Sequence, residues 1–332
     1  MGCFFASHTR LRHVKSTAKH QHKRGQEWKK THTAINKPDP NNESTFISPS
    51  FTSINEKLSK YSLASFHNSN KVNDYVEEFG LRKLCSQLEA DRISSKNSDL
   101  ERSVVPFEEK PYEPEYDDLC RLHYLALTRK FINVLEFGSG FSTAVIADAL
   151  RLLANHFAEW TTKNIRCERP FHIFAVEEEQ RFLEVTKHRL GNELEKFASV
   201  LRSSVELITH DNRIATVYSK LPNISPDFIY LDGPSQFGTT TELNGFSFNS
   251  PARMPMSADI LRFEFFLEPG TLILVDGRTQ NARFLKSYLK RNWSYQHDPI
   301  GDIHYFELQE SPLGPYNKRK IDFCLDGKWL FD

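Results

Sequence analysis

Spaced cysteine pairs are missing from this chain. Its five cysteines, Cys3, Cys85, Cys120, Cys167 and Cys324, are odd in number and never stand as C-x-x-C, which argues against a disulfide framework and a cysteine-based zinc site. An apolar run long enough to cross a bilayer is missing too, and the Cys3–Ala6 patch is too short for a secretory h-region. Net charge is +0, so no global field draws the chain to nucleic acid or to a membrane. No internal repeat is evident, nor any Ser/His/Asp or Cys/His grouping of the kind used in nucleophilic catalysis. These absences leave a cytoplasmic protein with a sizeable core as the expectation for 332 residues.

Charge is unevenly spread. Before Thr31, Arg10, Arg12, Lys15, Lys19, Lys23, Arg24, Lys29 and Lys30 face only Glu27, so a basic, disordered arm is expected. The opening Met1-Gly2-Cys3 would suit acylation, and membrane association is expected only if that modification occurs. Ala6 stands where the acylation motif has Ser or Thr, which favours an ordinary start. Residues 31–70, rich in Ser, Asn, Thr and Pro, extend this reading into one polar extension over 1–70. Helical spacing of Val72, Tyr75, Val76, Phe79, Leu84 and Leu88 predicts a helical lead-in over 71–110, weakened at Gly80. A main domain follows over 111–310, and 311–332 reads as a tail.

Within that domain strand-like and helix-like segments alternate, the pattern of an α/β doubly wound sheet. Strands are expected at Phe131–Phe137, His172–Val176, Val205–Thr209, Phe228–Leu231, Thr271–Val275, Trp293–Gln296 and His304–Leu308. Helices fall between them, including Gln180–Phe197, Ala258–Phe266 and Asn281–Arg291, and the polar segment Asn155–Pro170 reads as an insertion.

The most informative stretch is NVLEFGSGFSTAVIADAL, Asn133 to Leu150, a buried strand, a glycine turn and a helix in succession. Gly138 and Gly140 allow unusual backbone angles and close ligand approach, and Ser142 or Thr143 can cap the helix. The dinucleotide fingerprint has a third glycine at the position of Thr143, so the NAD reading loses weight. The remaining pattern, carried by Val134, Leu135, Glu136, Gly138 and Gly140, resembles motif I of class I S-adenosylmethionine-dependent methyltransferases. The strand order over Pro111–Glu310, closed by two strands about a tight Asp298–Asp302 turn, is similar to that family's whole domain: Rossmann-like, seven-stranded and mostly parallel with an antiparallel final hairpin strand.

The resemblance implies a set of roles. S-adenosylmethionine is the implied cofactor. Glu136 would help hold the amino end of its methionine part beside Gly138, Ser139 and Gly140, and Glu177 would bind the ribose hydroxyls. Asp211, in ITHDN, would contact the adenine, although Asp-Asn is equally a turn or cap signal. Glu178 and Glu179 read as charges favouring the next helix N-terminus. Asp232, after DFIYL, faces the acceptor and is the candidate general base. Asp232 and Asp276 resemble a magnesium pair of catechol-type O-methyltransferases, but Gly277 replaces that group's third ligand, an Asn, so no metal is assigned. Arg253 and Arg278 are either contacts to an anionic or sugar-like acceptor or ordinary surface charges.

A small-molecule or saccharide acceptor is the expected partner. LDGP, in place of the N/D-P-P-Y/F tetrad of base N-methyltransferases, disfavours nucleic acid. An aminopropyl transferase on the same fold lacks a visible aspartate-rich pocket, and a non-catalytic scaffold is countered by the intact glycine turn and acidic strand ends.

Overall fold

In a computed structural model of the chain, residues 49–86, 113–235, 241–249 and 253–330 are described. The basic arm, the acylation motif and most of the proline-bearing stretch at 106–118 lie outside them. Among the described residues no helix is long and apolar enough to cross a membrane.

The element order is α1 (Pro49–Leu58), α2 (Ser69–Phe79), α3 (Tyr116–Thr128), β1 (Asn133–Phe137), α4 (Phe141–Asn164), β2 (His172–Glu177), α5 (Gln180–Leu194) and β3 (Ala198–Arg202). Then come β4 (Val205–His210), β5 (Arg213–Tyr218), β6 (Phe228–Leu231), α6 (Asp259–Phe263), β7 (Leu272–Asp276), α7 (Thr279–Tyr288), β8 (Trp293–Asp298), β9 (Ile303–Leu308) and α8 (Pro315–Leu325). Seven strands form one sheet in the order β3-β2-β1-β6-β7-β9-β8. Pairing is parallel from β3 through β7, and β9 runs antiparallel to both β7 and β8. This is the α/β doubly wound, mostly parallel sheet with an antiparallel final hairpin strand that the sequence predicts.

Alternation along each strand divides the core between the two faces. Val134, Ile173, Phe228, Tyr230, Leu272, Leu274 and Tyr305 join the cluster that includes α1 to α5 and α8. Leu135, Phe137, Val176, Ile229, Leu231, Ile273, Val275 and Phe306 join a second cluster with α6 and α7. A sheet buried on both faces explains why its central strands read as unbroken apolar runs.

Four expectations need correction. The third strand of the sheet is Ala198–Arg202, not Val205–Thr209. The expected helix closes at Phe197, and Ala198–Arg202 follows it with no Gly, Pro or Asn to mark a new element, which leaves the strand without a local signal. Val205–His210 instead pairs with Arg213–Tyr218 in a separate two-stranded antiparallel sheet. Its turn, Asp211-Asn212, has φ +44° and +59°, the left-handed pair of a tight hairpin.

The polar extension is shorter than 1–70. Phe51, Leu58, Tyr61 and Phe66 are buried, with Phe51 edge-on to Phe157 at 4.7 Å and Phe66 edge-on to Tyr75 at 5.2 Å. Single aromatics in a polar background carry enough apolar area to anchor short helices without any sustained period. Gly80, at φ +71°, ends α2 with a left-handed cap.

The tail at 311–332 contains α8, which starts with Pro315 after Gly314 and buries Cys324 and Leu325. Phe323 of this helix stacks on Trp160 at 4.7 Å. The insertion at 155–170 is largely the last turns of α4, which continues to Asn164.

Candidate active site

The carboxyl ends of β1, β2, β6 and β7 meet at one edge, where ligands bind on open α/β sheets. Between β1 and α4 the chain makes its glycine turn. Gly138 has φ +100°, a conformation an L side chain rarely adopts, and its position faces the main chain of Asp232. Gly140 is different: its backbone is extended, and a Cβ there would meet nothing closer than an arginine nitrogen at 4.0 Å. Neither strain nor packing requires glycine at 140, and the main chain there is open to close approach.

The turn holds two buried carboxylates. Glu136, 1% exposed, accepts hydrogen bonds from Ser142 Oγ at 2.5 Å and Thr143 Oγ1 at 2.6 Å. Thr143 Oγ1 also accepts from the Gly140 amide at 3.0 Å, so the residue standing in place of the third glycine pins the turn to the strand end. Burial pushes the Glu136 carboxyl up to about 8 against the lowering effect of both hydroxyls, with Asp232 and Glu177 adding to the rise.

Glu177 closes β2 and accepts from Ser139 Oγ at 2.8 Å and from the Glu179 amide at 2.9 Å. Burial, then the neighbouring Glu178, push it up to about 7. Glu136, Gly138, Ser139, Gly140 and Glu177 are therefore brought together as expected. Asp211 is not: it lies at the tip of the β4–β5 hairpin, outside the seven-stranded sheet.

Asp232 follows β6 with its carboxylate half-exposed, and Arg278 Nε lies 3.6 Å away. Arg278 also donates to the Asp232 carbonyl at 2.5 Å and the Pro234 carbonyl at 2.9 Å, and the side chain is buried. It clamps the loop after β6, and is neither a surface charge nor a free acceptor contact. Arg253 donates to the Ser247 carbonyl at 2.7 Å and lies over the Phe246 ring at 4.5 Å.

Asp276, ending β7, accepts from the Tyr230 hydroxyl at 2.6 Å. Burial pushes it up to about 8, with Asp118 and Asp232 contributing repulsion. Asp118 comes from α3, where it pairs with the fully buried Arg121. Asn281 bonds Ser257 in both directions and takes no part at this edge.

Several positions at this edge escaped the sequence reading. Glu178 does not serve the α5 N-terminus: it accepts from Tyr218 OH at 3.1 Å and from the Ser235 amide, fastening the loop after β6 to the end of β2. The signal lay in AVEEE, where three successive carboxylates cannot all face one helix end. Tyr230 and Asp118 had no local signal, since only the fold brings them to Asp276.

No protein-family model matches the chain, and no curated protein matches it. Similar solved structures include the SAH-bound methyltransferase PaMTH1 of Podospora anserina, at 12% identity and TM-score 0.37, covering 83% of this chain and 100% of that one. Another, from Staphylococcus aureus and described as a caffeoyl-CoA O-methyltransferase, has 13% identity and TM-score 0.32 over 68% of this chain and 98% of its own. A methyltransferase-like protein from Silicibacter pomeroyi has 14% identity and TM-score 0.29, over 67% and 96%. Likeness at this level says nothing of what this chain binds.

Proposed function

We infer that the chain is a class I S-adenosylmethionine-dependent methyltransferase acting at oxygen on a small-molecule or saccharide acceptor. The observation that carries this reading is the pair of buried carboxylates, Glu136 and Glu177, held at adjacent strand ends by Ser139, Ser142 and Thr143 of one glycine turn. Such a pair suits a ligand with one cationic amine and one vicinal diol. The open space at Gly140 suits the close passage of that ligand along the main chain.

S-adenosylmethionine, when bound, supplies a methyl group already activated on a sulfonium. What remains for the protein is positioning. Glu136 holds the amine, Glu177 the ribose hydroxyls, and Gly138 to Gly140 the intervening backbone. Asp232, half-exposed at the next strand end, orients the acceptor hydroxyl and takes its proton. Arg278 sets the conformation of the Asp232 loop. Asp211 has no part in this assignment, because it sits at the tip of the separate β4–β5 hairpin, next to His210, whose ring packs on Phe284 and Tyr288 of α7.

Calorimetric titration with S-adenosylmethionine and S-adenosylhomocysteine tests the reading. Wild type is expected to bind both. Glu177→Ala removes charge-assisted hydrogen bonds worth about 1.5–3 kcal/mol, so affinity should fall by roughly 10-fold or more. If wild type binds neither ligand, the methyltransferase reading is wrong.

A further inference from the structure

The final hairpin carries a second cluster, on the strands farthest along the sheet from the glycine turn. His297 of β8 and His304 of β9 are cross-strand partners with rings stacked 4.1 Å apart at 6°. Asp302, which precedes β9, has φ +49°, a backbone conformation that carboxamide and carboxylate residues tolerate. One ligand atom from each of His297, Asp302 and His304 lies within 4.8 Å of the other two. Among the described residues these three form the group of His, Cys, Asp or Glu spaced to share an ion.

A hydroxyl marks where two of these groups converge. Thr279 Oγ1, at the start of α7, donates to Asp302 Oδ1 at 3.1 Å and lies 3.0 Å from His304 Nε2. The other ring nitrogen of His304, Nδ1, lies 2.9 Å from the Tyr295 hydroxyl. In the tautomer with Nδ1–H donating to Tyr295, the single Thr279 hydroxyl proton turns from Asp302 to the Nε2 lone pair, the position an ion would take. A ligating imidazole is usually oriented in this way, by a hydrogen bond from its second nitrogen.

We propose that His297, His304 and Asp302 form a binding site for a divalent ion of the zinc class, clipping together the two strands of the last hairpin beside the start of α7. Two imidazoles and one carboxylate are a borderline donor set, suited to zinc, cobalt or nickel over the oxygen-seeking magnesium and calcium. Ligand bonds of roughly 2.0–2.2 Å place tetrahedral ligand atoms about 3.4 Å apart, so the cluster must close around an ion, and His297 must swing out of its stack on His304 because parallel rings aim their in-plane lone pairs side by side. His297 and Asp302 are exposed and free to rotate inward, while buried His304 supplies the fixed point.

The ion would also brace the sheet edge beside Asp276, because the Asp302 carbonyl accepts from the Gly277 amide at 3.0 Å. This inference stands apart from the methyl-transfer reading, since none of its ligands belongs to the glycine turn or to the loop after β6.

The test uses full-length protein freed of metal by chelation, with zinc titrated by calorimetry and cobalt by its visible ligand-field absorption. His8, His13, His20, His22 and His32 can also take up zinc, so the reading is the difference between wild type and variants. His297→Ala removes an exposed ligand, and Asp302→Asn keeps the turn. Each is expected to abolish one binding event or weaken it at least ~10-fold. Both should also lose the zinc-dependent rise in melting temperature and the tetrahedral cobalt spectrum expected of wild type. Equal stoichiometry, affinity and thermal response in wild type and both variants would overturn the proposal. So would a site that takes magnesium as readily as zinc.

Discussion

The two ends of the central sheet treat buried charge in opposite ways. At the amino edge, acids are matched with cations: Arg129 pairs with fully buried Glu307, and Lys320 lies 3.7 Å from Asp227 and 3.1 Å from Glu268. Asp227 also accepts from the Ile132 and Asn133 amides, joining β1 to the start of β6. At the carboxyl edge, Glu136, Glu177, Glu178 and Asp276 are held by hydroxyls and amides, while Arg278 lies beside Asp232. Neutralised pairs stabilise structure. Carboxyls held by neutral donors keep their protons to higher pH, so a cationic ligand is what would favour their ionised form.

The sharpest break comes at the amino edge. Arg129→Met leaves the Glu307 carboxylate buried without its partner, so urea unfolding should show a loss of about 3–5 kcal/mol. Replacing Glu307 by Leu in the same chain should restore most of it, because the uncompensated charge is then gone.

At the carboxyl edge, Gly138→Ala forces a side chain into φ +100° and should cost about 1–2 kcal/mol by the same measurement. A pH series sharpens the contrast further. Glu136 and Glu177 have folded pKa values near about 8 and about 7, above the ordinary 4.5, so the folded state holds its protons longer than the unfolded chain. Their contribution is fully present below 4.5 and is lost as pH rises toward 8. Urea midpoints should therefore decline across that window, and Glu136→Gln should flatten the decline. An unchanged slope would mean that Glu136 is not ionising there.

The smallest effect on stability belongs to Gly140→Ala, within about 0.5 kcal/mol, because the backbone there is extended and the space is open. The same variant should weaken S-adenosylhomocysteine binding in calorimetry. Unaltered affinity would remove the close-approach argument for that glycine.

The sequence made the sheet legible because buried parallel strands are short apolar runs. The glycine turn was legible because its chemistry is local, with Glu136, Gly138, Ser139 and Gly140 lying within five residues. Glu177 was reachable as the acid that ends the next apolar run. What escaped was anything assembled across the fold. Tyr230 and Asp118 meet at Asp276 through strand register and the packing of α3, and Arg278 reaches back to the loop after β6. Asp211 was assigned to the end of a sheet strand because ASVLR follows the helical run directly, with no Gly, Pro or Asn between them to announce a new element. Once β3 was passed over, the hairpin strand took its place in the count and carried Asp211 with it.

That hairpin is useful as a point of attachment. Its two-residue turn stands outside the main sheet and accepts left-handed backbone through Asp211 and Asn212. Exposed turns of this kind tolerate insertions well. A short peptide tag or a fluorophore-bearing cysteine placed between Asp211 and Asn212 should leave both strand-end carboxylates untouched, giving an optical handle on the chain.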